Sequence, residues 1–376
     1  MQHNSSAQRF EWLDGVRGMA IVWITFFHCI LAYGKGCSCE APIGIFSLTL
    51  RGFNPASLLS DLPCAIGAML ASLLQEGAQG VGVFILFSGF GLTYSLVKQG
   101  GPAGWANWYK RRFLRLLPVY WFAHLLFAVS PFQYQHDPID YRFLLSFLAD
   151  RVYPVDKMFY YLVPAWWFLG LLFELYIVFP LLYRLMQKLG ALRYLALCIV
   201  LTSVCRYVLV WVFPVNGDYT MGAFFVCRLW EFAAGMVFGK LMAETPQMVL
   251  EKLFSWKIFF GGVVVYALGR FTYQPNFLYS FSDGLNAMGL SVIMIHLASA
   301  IGKVPAAGKA LVTAGIYSYG IYLFHQPYIM YIGEKLRPYP FSVFLVASAA
   351  MVVLITFAAS YIEYAVDRIV GRYFRP

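Results

Sequence analysis

Long apolar segments separated by short polar ones make up most of the chain. Ten of these segments are long enough to cross about 30 Å of hydrocarbon as helices. The predicted spans run approximately over 16–34, 79–97, 116–133, 166–184, 192–213, 222–242, 257–273, 283–301, 311–333 and 341–361. A shorter apolar piece, 63–74, is predicted to be re-entrant or interfacial. The pattern predicts an all-α polytopic membrane protein with about ten transmembrane helices.

Composition agrees with this pattern. The 376 residues are 60% hydrophobic and 12% charged, with a mean hydropathy of +0.66. No part of the chain has the composition of a soluble domain, so we predict one membrane domain over 1–376. The net charge of +10 indicates basic loops on the cytoplasmic side rather than nucleic-acid binding. The densest basic segment, 98–115, lies inside when both termini are cytoplasmic.

The first span carries ionisable residues that a purely structural lipid-length helix does not need. Arg17 and His28 are eleven residues apart, about three helical turns, so they share one stripe at a separation of roughly 16 Å. Asp14 precedes Arg17 by three residues, where the two side chains can form an ion pair. Ionisable groups at that depth are costly, and this indicates a functional site.

Other buried ionisable residues lie at a similar predicted depth on different spans. Counted from the cytoplasmic ends, the five residues lie roughly 15–21 Å deep. They are His28, Glu174, Arg228, Glu231 and His325. Trp167 shares a helix face with Glu174, and Arg228 and Glu231 have the i, i+3 spacing of an ion pair. We therefore predict one site within the membrane, while a packing role for the Arg228–Glu231 pair stays open.

A basic motif follows the second span. Arg111 or Arg112, together with Arg115, lies one helical turn apart and suits phosphate groups, while Trp108 could stack on a base. The motif predicts a phosphorylated cytoplasmic donor for chemistry in the membrane. The positive-inside rule or binding of anionic lipid would also explain the arginines.

Six motifs, in order, resemble those of the acyltransferase-3 family of membrane-bound acyltransferases. They are LDGVRGMAIVWITFFH with Arg17 and His28, GVFILFSGFGLTYSL with Ser88, YKRRFLRLLPVYW with the basic residues, WWFLGLLFELYIVFPLL with Tyr176, CRLWEFAAGMVFGKL with Glu231, and SYGIYLFHQPYI with His325. The chain departs from the family pattern at Leu172 and Phe173, where many members carry acidic residues. Glu174 is then the acidic residue of the fourth motif.

This resemblance implies transfer of an acyl group, most often acetyl, from cytoplasmic acyl-CoA to a hydroxyl of a cell-envelope sugar or glycolipid. It also implies a location in a bacterial inner or plasma membrane, with His28 as general base and no metal or permanently bound cofactor. The predicted catalytic residues are His28, Arg17, Asp14, Glu174 and His325. The predicted acyl-CoA-binding residues are Arg111, Arg112, Arg115, Trp108 and Ser88, and the structural or substrate-orienting ones are Arg228, Glu231, Trp167 and Tyr176.

Alternatives remain for several of these residues. Glu174 or His325 could orient His28, and His325 could equally be structural. Ser88 could pack between helices or carry an acyl intermediate. Among the cysteines, a disulfide from Cys37 or Cys39 to Cys64 is possible. The competing class is a multi-span transporter or exporter of a saccharide or glycolipid, which also places charges at the membrane midplane.

Overall fold

The computed structural model describes residues 10–34, 58–102, 104–132, 137–273 and 277–374. All regular elements in these ranges are helical, as predicted. The α-helices are α1 (Glu11–Tyr33), α2 (Leu58–Gln75), α3 (Gly80–Lys98), α4 (Trp105–Val129), α5 (Tyr141–Phe147), α6 (Val155–Met158), α7 (Trp167–Leu189), α8 (Ala191–Tyr207), α9 (Leu229–Glu244), α10 (Pro246–Leu253), α11 (Trp256–Thr272), α12 (Tyr279–Gly302), α13 (Pro305–Ile316), α14 (Ser318–Leu336) and α15 (Phe341–Phe374). Cys37, Cys39 and the Cys64 side chain lie outside the described parts.

Seven helical segments in the described ranges are long and apolar enough to cross a membrane, so the chain is a multi-pass membrane protein. The other three predicted spans take a different form. Helices α9 and α11 have 16 and 17 residues, and the ninth predicted span is divided at Tyr317 between α13 and α14. The short apolar piece 63–74 lies inside α2, which continues through the turn Glu76–Gln79 into α3.

Helix α1 has chemical signals at both ends. Glu11 and Asp14 lie in its first turn, where a negative charge interacts favourably with the helix dipole. Gly34 ends the helix in the left-handed conformation, with φ of 65°, and its N–H donates to Ile30 O at 3.2 Å. These residues explain where α1 begins and ends, which the hydrophobic pattern alone predicts only approximately.

Helix α1 is also the centre of the bundle, because it contacts α2, α3, α12, α13, α14 and α15. Around it, α3 packs on α9, α11 on α12 and α14 on α15. The outermost faces are apolar; on α15, Val346, Leu354 and Phe357 are exposed. Exposed aliphatic and aromatic side chains on a bundle surface are typical of helices that face lipid.

A carboxylate compensates for the division at Tyr317. The first N–H groups of α14 have no partner within their own helix. Glu363 of α15 reaches this end, and its Oε2 accepts a hydrogen bond from Gly320 N at 2.6 Å. The bond satisfies a buried donor and joins α14 to α15, so α14 has a fixed position although it does not continue α13.

Two glycines allow α1 and α13 to pack backbone against backbone. A Cβ at Gly315 would overlap the carbonyl oxygen of Asp14, and one at Gly18 would overlap that of Leu311. We expect Gly315→Ala to push α13 from α1 and to destabilise the protein by about 1–3 kcal/mol. Thermal unfolding in nanodiscs measures this as a lower melting temperature.

The matched control is Gly261→Ala on α11, where an added Cβ meets no heavy atom within 4 Å. This variant should be neutral, or stabilised by up to about 1 kcal/mol through better helix propensity. Equal melting temperatures for the two variants would contradict the close contact between α1 and α13.

Candidate active site

A cavity of about 1090 Å³ lies beside α1 and is lined by this helix and the residue before it from Phe10 to His28. It brings together most of the residues that the sequence predicts for the site. Those that line it are Asp14, Arg17, His28, Ser88, Arg112, Arg115, Trp167, Tyr176, Arg228, Glu231 and His325. Helices that are distant along the chain therefore contribute to one cavity.

Three of the predicted site residues do not line this cavity. Arg111 is exposed on α4. Trp108 is buried, and its ring stacks on that of Phe179 with centroids 5.1 Å apart, so it offers no free face to a base. Trp108 also contacts Arg112, whose guanidinium carbon lies 5.5 Å from the ring centroid.

Glu174 is the third of these residues. Its Oε2 accepts a hydrogen bond from the backbone N–H of Phe225 at 3.1 Å, at the start of the turn Phe225–Arg228. The carboxylate therefore holds the segment that leads to Arg228. Of the two residues considered for orienting His28, it is His325 and not Glu174 that contacts the ring.

The hydrogen bonds of the two buried imidazoles assign their protons. His325 Nδ1 lies 3.0 Å from Ile321 O and 2.8 Å from Tyr322 O, so it must carry hydrogen because carbonyl oxygens only accept. In the neutral ring, His325 Nε2 is then an acceptor. It lies 3.1 Å from His28 Nδ1, which also lies 3.0 Å from Ile24 O. With acceptors on both sides, His28 Nδ1 is the donor.

This tautomer leaves the lone pair of His28 on Nε2. Among the described residues, the hydrogen bonds to this imidazole all involve Nδ1. His28 lines the cavity, so Nε2 is the ring nitrogen that is available to a bound molecule. An imidazole held in this way can accept a proton from a hydroxyl group.

Helix α14 is held in place around His325 by bonds to the segment before α7. Pro327 has no N–H, so it leaves the carbonyl of Leu323 without its helical donor. That carbonyl accepts a hydrogen bond from Trp166 Nε1 at 3.0 Å. Nearby, Gln326 Oε1 accepts from Ala165 N at 2.6 Å, so backbone and side chain both fix the His325 turn.

The end of the cavity near the start of α1 is basic. Arg17 and Arg115 line it together with Arg112. The pair predicted on α1 is present, with Arg17 Nη1 3.8 Å from Asp14 Oδ1. Three guanidinium groups against one carboxylate leave a net positive charge at this end, which suits an anionic group such as a phosphate.

The other end contains paired charges. Arg228 binds both oxygens of Glu231, at 2.6 and 2.7 Å, as the i, i+3 spacing predicts. Asp283 of α12 lies 2.5 Å from Arg206 Nη1 and 3.7 Å from Arg228 Nη1. The charges of these two arginines and two carboxylates balance one another, and a further carboxylate, that of Asp218, also lines the cavity. Trp167 lies beside these groups on the cavity wall.

Sequence reasoning did not identify Asp283 as part of the site. It is the first residue of the predicted span 283–301, a position that predicts the membrane surface and not the interior. The useful signal is its partner. Arg206 lies inside a predicted span and therefore requires an acid from another helix.

The fold and this cavity define a multi-pass helical membrane protein in which a basic end leads to a pair of buried imidazoles. The Acyl_transf_3 family model, described as an acyltransferase domain, matches residues 10–361, nearly the whole chain. The chain therefore belongs to the acyltransferase-3 family and is an acyltransferase, which confirms the resemblance seen in its motifs. No curated protein and no solved structure matches the chain with significant similarity.

Proposed function

We propose that this acyltransferase moves an acetyl group from cytoplasmic acetyl-CoA to a hydroxyl of a cell-envelope sugar or glycolipid. One observation carries the proposal: a single cavity joins the arginines at its basic end to His28. The arginines suit the phosphates of a donor, and His28 suits removal of a proton from an acceptor hydroxyl. The choice of acetyl and of a sugar rests on the family to which the chain belongs.

The donor would lie along α1. Arg112 and Arg115 bind its phosphates, and Arg17 adds a third positive charge beside the same space. From Arg17 to His28 the helix rises roughly 16 Å, a distance that an extended pantetheine arm can cover. The thioester then lies next to the imidazole while the nucleotide stays at the basic end. This arrangement agrees with ten crossings and cytoplasmic termini, which we propose for the single domain.

In the proposed reaction, His28 Nε2 takes the proton of the acceptor hydroxyl as its oxygen attacks the thioester carbonyl. The carbon–sulfur bond then breaks, and the CoA thiolate takes the proton from the imidazolium. Neither step needs another reactant. His325 acts as a positioning residue, because its Nε2 accepts from His28 Nδ1–H and keeps the reactive lone pair on Nε2.

The acceptor would approach from the end of the cavity with paired charges. Arg228, Glu231 and Asp283 offer donors and acceptors for hydroxyl groups, and Trp167 offers an apolar face. The charges of Arg228, Glu231 and Asp283 are satisfied by one another and by Arg206, so these residues do not need a charged ligand. A sugar hydroxyl is compatible with such a surface.

An assay with radiolabelled acetyl-CoA tests the proposal. Purified protein in nanodiscs is incubated with the label and with glycolipid extracted from the producing cells, and the product is treated with mild alkali. We expect label on the glycolipid that alkali releases, as an ester requires. Movement of a labelled saccharide across a proteoliposome membrane without acetyl transfer would support a transporter and contradict the proposal.

Replacing His325 tests its positioning role. His325→Met removes the acceptor for His28 Nδ1–H, and we expect a decrease in kcat of roughly 10-fold, because one hydrogen bond that fixes the tautomer is lost. KM for acetyl-CoA should not change, since His325 does not touch the basic end. His325→Gln supplies a side-chain oxygen acceptor and should recover part of the rate. Equal rates for Met and Gln variants would contradict the role.

A further inference from the structure

Two thiols meet beside the charged cluster. Cys205 lies near the end of α8, and Cys227 lies in the turn Phe225–Arg228. Their sulfur atoms are 3.6 Å apart, and both cysteines are unbridged. A disulfide requires a separation of about 2.05 Å, so an approach of roughly 1.5 Å would join them. We propose that Cys205 and Cys227 are a site of reversible disulfide formation.

Hydrogen bonds already join α8 to the segment that carries Cys227. The hydroxyl of Thr202, one helical turn before Cys205, donates to Val226 O at 3.0 Å and accepts from Trp230 N at 3.0 Å. These bonds reach the turn on both sides of Cys227. Because the backbone is fixed on either side, the packing of α8 against the turn keeps the two cysteines next to each other.

Each cysteine directly precedes an arginine of the cluster. Arg206 follows Cys205 and binds Asp283 at 2.5 Å, and Arg228 follows Cys227 and lies 3.7 Å from the same carboxylate. A disulfide would therefore tie together the two segments whose arginines share Asp283. It would hold this end of the cavity in the arrangement described here, whichever acyl group and acceptor the enzyme uses.

The reaction is a two-electron oxidation. Two S–H bonds break and one S–S bond forms, and two protons and two electrons pass to a thiol oxidant or to an exchanging disulfide. Cys205 is partly exposed and is the sulfur that such a reagent can reach, whereas Cys227 is buried. A thiol reductant reverses the reaction.

Tryptic mapping gives a direct test. Trypsin cleaves after Arg193, Arg206 and Arg228, so the two thiols fall into separate peptides, 194–206 and 207–228. Nanodisc protein is treated with diamide, whose azo bond takes up the two electrons and two protons. Free thiols are then blocked with N-ethylmaleimide before non-reducing digestion. We expect mass spectrometry to detect the two peptides linked, with one maleimide on Cys198 and a mass two hydrogens below the sum of the peptides and that adduct. Reduction should separate them.

Cys198 provides a matched control, because it lies on the same peptide as Cys205 but roughly 10 Å away along α8. The linked peptide should persist in Cys198→Ala and disappear in Cys205→Ala. Absence of the linked peptide from folded, monodisperse wild-type protein, or its persistence in Cys205→Ala, would overturn the proposal. As a second measurement, the oxidised protein should melt at a higher temperature than the reduced protein, because a bridge restricts the unfolded chain. An oxidised melting temperature at or below the reduced one would contradict the bridge in the native structure.

Discussion

Replacing His28 by alanine should reduce kcat by roughly 10²–10⁴-fold, the usual contribution of a positioned general base. The reason is specific to this ring. Its Nδ1 is engaged by His325 and by Ile24 O, which leaves Nε2 as the nitrogen that can take a proton. Donor binding should be unchanged, because the arginines at the basic end are not altered. Initial rates of labelled acetyl transfer and calorimetric titration with CoA measure the two quantities separately.

His296→Ala is the control for loss of an imidazole. His296 does not line the cavity, and its Nε2 lies 2.8 Å from Leu253 O between α10 and α12. This variant should keep the wild-type rate per folded molecule. If His28→Ala retained most of the activity while donor binding remained intact, another group would have to act as the base, and the assignment would be wrong.

The sequence predicts the depth at which the site residues lie in the membrane. His28 and His325 lie on different helices, and counting at 1.5 Å per residue placed both at one level, where the structure brings their rings together. Depth does not determine which way a side chain turns about the bundle. The same count gives Glu174 a similar depth, yet its carboxylate binds Phe225 N and not the imidazole pair.

Contacts within one helix were predictable, whereas contacts between helices were not. The i, i+3 spacing indicates the pair of Arg228 and Glu231, and the pair forms although Arg228 lies in the turn that leads into α9 and Glu231 lies in the first turn of the helix. Asp283 and Arg206 meet through the packing of α8 against α12, which depends on many side chains that are distant along the chain.

The division of the ninth predicted span has a similar cause. No proline marks the sequence around Tyr317, so the hydrophobic pattern predicts one continuous helix. What makes the division tolerable is the Glu363 carboxylate, which satisfies Gly320 N from 43 residues further along the chain. A local pattern cannot contain that information, and the predicted span was therefore longer than either observed helix.

The arginines of the basic motif should determine the affinity for acetyl-CoA. Sequence could not choose between Arg111 and Arg112, because adjacent residues on a helix point about 100° apart and either could pair with Arg115. In the structure Arg112 and Arg115 line the cavity, and Arg111 does not. We therefore expect Arg112→Ala/Arg115→Ala to weaken acetyl-CoA binding strongly. Each charge-assisted bond to phosphate contributes about 1.5–3 kcal/mol, or roughly 10- to 100-fold in Kd.

Arg111→Ala is the matched control, since it removes the same charge from the same motif. Arg111 does not line the cavity, so its attraction for the donor acts through solvent and is screened by salt, and the loss in affinity should be small. Calorimetric titration of wild type, Arg111→Ala and the double variant with acetyl-CoA, at low and moderate ionic strength, distinguishes a phosphate site in the cavity from attraction by overall charge. Wild type and Arg111→Ala should show donor affinity that falls with added salt, and the double variant should show weak affinity with little salt dependence. Equal losses for Arg111→Ala and the double variant would mean that the motif attracts CoA only through its overall charge and not through a phosphate site in the cavity.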